Sequence, residues 1–234
     1  MARLTHLVFL AAVSIIAAAA FAVSPGLAEA APTAVPAPSC SPNPYAYAGL
    51  FSNQAAQGIE AVVTTLAAAQ VPYGHVAGWI GVGGVNAGPN GQAEWLQTGV
   101  VTMAGNGSEL YAEITQPGQG TKYVTLAAGV VPGSTYKLAV LQIPGKPGTW
   151  QVMVNGAAAT DPVYLPGSSS FQPMVMSESW NGGNPACNGF AYRFDNVQIT
   201  TKGTWQALTD ASAISDSGYK ILDRTKAGFT ALSA

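Results

Sequence analysis

The chain has 234 residues, of which 9 are Lys or Arg and 11 are Asp or Glu, so only 9% of it is charged and the net charge is −2. The absence of a basic excess argues against nucleic-acid binding, and a hydrophobic content of 48% excludes charge-driven disorder. With 27 glycines and 16 prolines, a long helical bundle does not fit, and one Gly-punctuated all-β domain is expected.

Residues 1–30 read as a secretory signal peptide. A short segment bearing Arg3 precedes an apolar run from Leu7 to Val23, which Ser24-Pro25-Gly26 ends. Ala28-Glu29-Ala30 then supplies small residues at the cleavage positions. The run is near the lower length limit of a membrane span, so an uncleaved anchor is the alternative. Export predicts a secreted protein with no membrane contact after cleavage. Residues 31–44 are rich in Pro, Ala and Ser and form a linker or arm.

The domain is expected over residues 45–234. Apolar runs recur between Gly, Pro and Asn turns: Ile59–Leu66, Val76–Val82, Trp95–Met103, Glu109–Thr115, Tyr123–Val131 and Tyr136–Ile143. Trp150–Val154, Phe171–Trp180, Phe190–Thr200, Tyr219–Asp223 and Phe229–Leu232 complete the series. Tyr136, Leu138 and Val140 alternate onto one face, as do Trp150, Val152 and Val154. Nearly a dozen short strands predict an antiparallel β-sandwich or jelly roll. Tyr192-Arg193-Phe194-Asp195 predicts an Arg193–Asp195 ion pair outside and packed rings inside.

Once a signal is removed, the chain keeps one histidine, His75, and two cysteines, Cys40 and Cys187. In an exported protein these cysteines predict one disulfide. It would close a loop of about 147 residues, worth roughly 4–5 kcal/mol by chain entropy. No cofactor or metal site is called for, since one histidine cannot make a multi-His centre. Catalysis, if present, falls to carboxylates and amides. Most acids, Glu94 among them, lie beside turns or near the C-terminus and are expected to be solvated. Glu113, Glu178 and Gln97 lie within strands; each can face either solvent or a site.

The segments Ala77-Gly78-Trp79-Ile80-Gly81-Val82-Gly83-Gly84, Trp95-Leu96-Gln97-Thr98-Gly99-Val100 and Tyr111-Ala112-Glu113 resemble the core of the eqolisin-type glutamic peptidases. The resemblance spans roughly residues 59–200. It implies a concanavalin-like sandwich with a concave cleft, and acid hydrolysis of peptide bonds by a Glu–Gln dyad, in which the carboxylate activates water and the amide holds the oxyanion. Gln97 matches the catalytic glutamine. The chain departs from the pattern in two places: Met174 stands where the catalytic Glu is expected if Glu178 matches the family's second Glu, and Gly83 replaces an acidic residue.

Alternation puts Met174, Met176, Glu178 and Trp180 on one face, with Glu178 about 13 Å beyond Met174 at ~3.3 Å per residue. Three functions stay open. One is a secreted acid peptidase using Gln97 with Glu178 or Glu113, in a cleft lined by Trp79 and Trp180. The second is a non-catalytic, monomeric module whose tryptophans, Trp95 included, grip a peptide or a glycan. The third is a glycosidase using Glu113 and Glu178, which requires carboxyls about 5–9.5 Å apart.

Overall fold

A computed structural model describes residues 45–181 and 187–234. The expected signal peptide, the arm and Cys40 lie outside these residues. Strands follow in chain order as β1 (Tyr45–Ser52), β2 (Gly58–Thr65), β3 (His75–Gly84), β4 (Glu94–Met103), β5 (Ser108–Thr115), β6 (Lys122–Val130), β7 (Thr135–Gln142) and β8 (Thr149–Val154). They continue as β9 (Ala157–Ala158), β10 (Val163–Tyr164), β11 (Pro173–Trp180), β12 (Ala191–Thr201), β13 (Thr204–Ala207), β14 (Ala211–Ser215), β15 (Tyr219–Leu222) and β16 (Gly228–Ser233).

Two antiparallel sheets form a concanavalin-like sandwich, as expected. The first has the order β14-β1-β11-β3-β4-β5-β6. The second has the order β10-β8-β7-β2-β12-β16-β15, with β13 paired to β12 and β9 to β8. Alternation decides what each strand buries. Val76, Ile80 and Val82 of β3 point between the sheets and meet Ile59, Val63, Leu138, Val140 and Phe194 in one large core. Trp150 is fully buried there, its ring tilted against Phe171 at 5.5 Å. The Arg193–Asp195 pair forms at 2.8 Å while Tyr192 and Phe194 pack inside.

Five strands were not anticipated: β1, the two-residue β9 and β10, β13 and β14. Of these, β1 matters most, because it pairs on one side with β11 and on the other with β14. Glu94 corrects the expectation of a solvated acid. It opens β4 opposite Gly84, is fully buried, and accepts the Gly167 N–H at 2.8 Å.

Candidate functional site

The face of the seven-stranded sheet turned away from the main core carries a second, smaller apolar cluster. Ala77, Trp79, Val101, Tyr111 and Met176 form it, with Tyr47, Phe51, Met174 and Ile214 packed around them. Above it lies a cleft of about 580 Å³ whose lining includes Tyr47, Trp79, Trp95, Gln97, Glu113 and Glu178. Among the described residues no Lys or Arg lines the cleft, and its one basic side chain is His75.

Strand register fixes the middle of this cleft. Gly81 on β3 faces Gln97 on β4 and Met174 on β11, Gln97 faces Glu113 on β5, and Met174 faces Phe51 on β1. One row across the sheet therefore reads Phe51, Met174, Gly81, Gln97, Glu113. It runs from apolar to acidic, with a bare glycine at its centre. A Cβ at Gly81 would lie 2.7 Å from the Gln97 Cβ and 2.9 Å from the Leu96 carbonyl oxygen. The glycine thus lets Gln97 lie low over the backbone.

Gln97 is buried and donates through Nε2 to the Tyr111 hydroxyl at 3.1 Å. Tyr111 is itself buried and stacks on Tyr123 with ring centroids 5.4 Å apart. Glu113 accepts the Trp95 indole N–H at 2.8 Å on Oε1; among the described residues Oε2 has no hydrogen-bond partner. Burial holds the Glu113 proton above the ordinary carboxylate range against the opposing effect of the Trp95 bond, and the Glu178 charge adds to it. Burial also raises the Tyr45, Tyr47 and Tyr111 phenols, with the charges of Glu178 and Glu113 reinforcing it.

Glu178 lies four residues along β11 from Met174, opposite Ala77. Both its oxygens are engaged. Oε1 is 3.0 Å from the His75 Nε2 and Oε2 accepts the Trp79 indole N–H at 2.9 Å. Trp79 is only 5% exposed and belongs to the cleft floor. Trp180 stands beside the site and not in its lining: it is 38% exposed and stacks on His75 at 5.5 Å.

The structure thus gathers Trp79, Gln97, Glu113 and Glu178 on one face, pairs Gln97 with Glu113, and sets Met174 on the other side of Gly81. Gly83 has φ +90° and a Cβ there would come within 2.1 Å of the Glu94 carbonyl oxygen, so no acidic side chain fits at this position without backbone movement. Among the described residues no group of three His, Cys, Asp or Glu side chains is placed to hold a metal ion. Cys187 is buried.

Sequence reading missed the β1 wall of the cleft, where Tyr45 and Tyr47 stack at 5.8 Å. The signal was present as the alternating Tyr45, Tyr47, Phe51, but it directly follows the Pro-rich arm. It also did not assign His75 to the site.

No protein-family model and no curated protein sequence matches the chain. Among solved structures it is similar to scytalido-glutamic peptidase bound to a transition-state analogue inhibitor, with 12% identity and a TM-score of 0.57 over 81% of this chain and 97% of that one. It is also similar to SCP-B, a member of the eqolisin family of peptidases, in complex with the tripeptide Ala-Ile-His; identity is 13% and the TM-score 0.51 over 81% of this chain and 97% of that one. A carbohydrate-binding module from Bacillus subtilis and a Bacillus licheniformis β-glucanase align less well, each with a TM-score of 0.38. The likeness to the two peptidases establishes the sandwich fold.

Proposed function

We propose that this is an exported, monomeric β-sandwich that binds an extended polypeptide in the cleft above β1, β11, β3, β4 and β5 without hydrolysing it. One observation carries the reading. Across the bare Gly81 from Gln97 stands Met174, a thioether that can neither activate water nor donate a proton. The surrounding rings supply the apolar grip that such a cleft needs. The tripeptide bound by SCP-B and a peptide-based transition-state analogue bound by scytalido-glutamic peptidase support the choice of ligand class, and the run of residues 1–30 supports export. A Cys40–Cys187 disulfide belongs to the same proposal.

A second reading, acid peptide hydrolysis, rests on a different observation. Gln97 and Glu113 are direct cross-strand partners, and Glu113 holds its proton above the usual range, which suits a general acid at mildly acidic pH. One experiment separates the two. The protein is incubated with a reduced, denatured polypeptide from about pH 2 to pH 6, products are followed by mass spectrometry, and binding is followed by fluorescence polarisation. Saturable binding with no new termini is expected. Cleavage that disappears in Gln97→Ala would replace the first reading with the second.

A further inference from the structure

The apolar-to-acidic row across the cleft has a matching ligand chemistry. Phe51 and Met174 form its apolar end, Gly81 leaves an open track, and Glu113 closes it with a carboxylate whose Oε2 lacks a partner among the described residues. Two strand spacings separate Gly81 from Glu113, about 9–10 Å. A long aliphatic stem ending in a cation covers that distance together with the reach of the Glu113 side chain. The cleft contains a second carboxylate, Glu178, and among the described residues no lysine or arginine lines it to balance either. His75, the one basic side chain among the described lining residues, is already bonded to Glu178. The rings of Trp95, Tyr47 and Trp79 line the same space, and aromatic faces attract cations.

We infer that the cleft selects a polypeptide presenting a lysine or arginine, whose stem lies over Met174 and Gly81 and whose cationic head reaches Glu113 in the field of Glu178. This rests on the peptide-binding reading and names its specificity. A neutral side chain leaves Glu113 Oε2 without a partner, and an acidic one meets two carboxylates. A charge-assisted bond in a partly desolvated site gives about a tenfold preference for the cation over an isosteric apolar side chain.

The test uses three fluorescent heptapeptides that differ only at the central residue: lysine, norleucine or glutamate. Their affinities for the intact protein are measured by fluorescence polarisation at neutral pH. The lysine peptide is expected to bind about tenfold tighter than the norleucine peptide, with the glutamate peptide weakest. The lysine-to-norleucine ratio is expected to fall toward one in Glu113→Gln, whose amide oxygen still accepts the Trp95 N–H. It is also expected to fall in the unmodified protein as salt is raised, because charges are screened; this arm requires no variant to fold. Equal lysine and norleucine affinities at low salt would overturn the inference and leave peptide binding standing. So would a ratio that survives both Glu113→Gln and high salt. If no peptide binds, or a soluble glucan oligosaccharide displaces them all, the peptide-binding reading fails and this inference with it.

Discussion

Glu94→Gln isolates the energetics of one buried charge. Glu94 is fully buried at the start of β4. Its Oε2 accepts a single bond from the Gly167 N–H, and Oε1 has no partner among the described residues. Burial raises its pKa above the ordinary 4.5, opposed by the Gly167 bond. The folded state therefore binds a proton more tightly than the unfolded chain does. Below pH 4.5 the carboxyl is neutral in both states and costs nothing. As pH rises from 4.5 toward the raised folded value, the stability contributed by the neutral form is lost, by at most about 1.4 kcal/mol per pH unit for one proton. Above that value the loss is constant.

The glutamine amide keeps the acceptor for Gly167 and replaces the unpartnered carboxylate oxygen with a neutral NH2. Removing an unsatisfied buried charged acceptor is worth about 1–3 kcal/mol. At roughly 2–4 °C per kcal/mol for a domain of this size, the variant melts about 2–12 °C higher at neutral pH. At pH 3 the two proteins are expected to coincide. Urea unfolding at pH 3, 5 and 7 measures this, and the difference between the two proteins cancels contributions from other groups such as Glu113. A variant less stable than the parent at pH 7, or a difference that does not grow with pH, would refute the reasoning.

Three further substitutions probe the cleft. Met174→Glu restores a carboxylate across Gly81 from Gln97, two strand spacings or about 9–10 Å between their Cα atoms; acid-dependent peptide cleavage absent from the parent is expected, read as new termini by mass spectrometry between about pH 3 and pH 5. Glu178→Ala strands the Trp79 indole and His75 together, at a cost of about 1–3 kcal/mol in urea unfolding; a change under 0.3 kcal/mol would show that neither bond matters. Gly81→Ala forces a Cβ against Gln97 and the Leu96 carbonyl, and is expected to cost roughly 1–3 kcal/mol and to weaken peptide affinity, both measurable on the purified variant.

The sandwich was legible in the sequence because Gly and Pro turns bracket runs whose alternation fits strands, as in Tyr136–Ile143 against the observed β7. The faces followed as well: Arg193 and Asp195 pair outside while Phe194 is buried. Pairing partners were harder to read. β14 is a short, Ala- and Ser-containing segment whose strand character comes from hydrogen bonding to β1 rather than from local propensity, while the alternating rings of β1 were obscured by the Pro-rich arm before them. The burial of Glu94 was hidden for a related reason, since the loop carrying Gly167 covers it from far along the chain. Of the row, Met174, Gly81, Gln97 and Glu113 were readable and Phe51 was not, and their alignment depends on inter-strand register, which spacing along one strand does not encode.

The order of the seven-stranded sheet also sets when the cleft comes into existence. β3, β4, β5 and β6 are consecutive in the chain and neighbours in space, so the wall bearing Trp79, Gln97 and Glu113 closes through short, local hairpins. The opposite wall joins residues 45–52, 173–180 and 211–215, segments whose union carries a large loop-closure entropy. One wall is thus fast and local, the other slow and dependent on nearly the whole chain. During synthesis the second wall cannot be completed until residues 211–215 have emerged, long after the hairpins of the first wall.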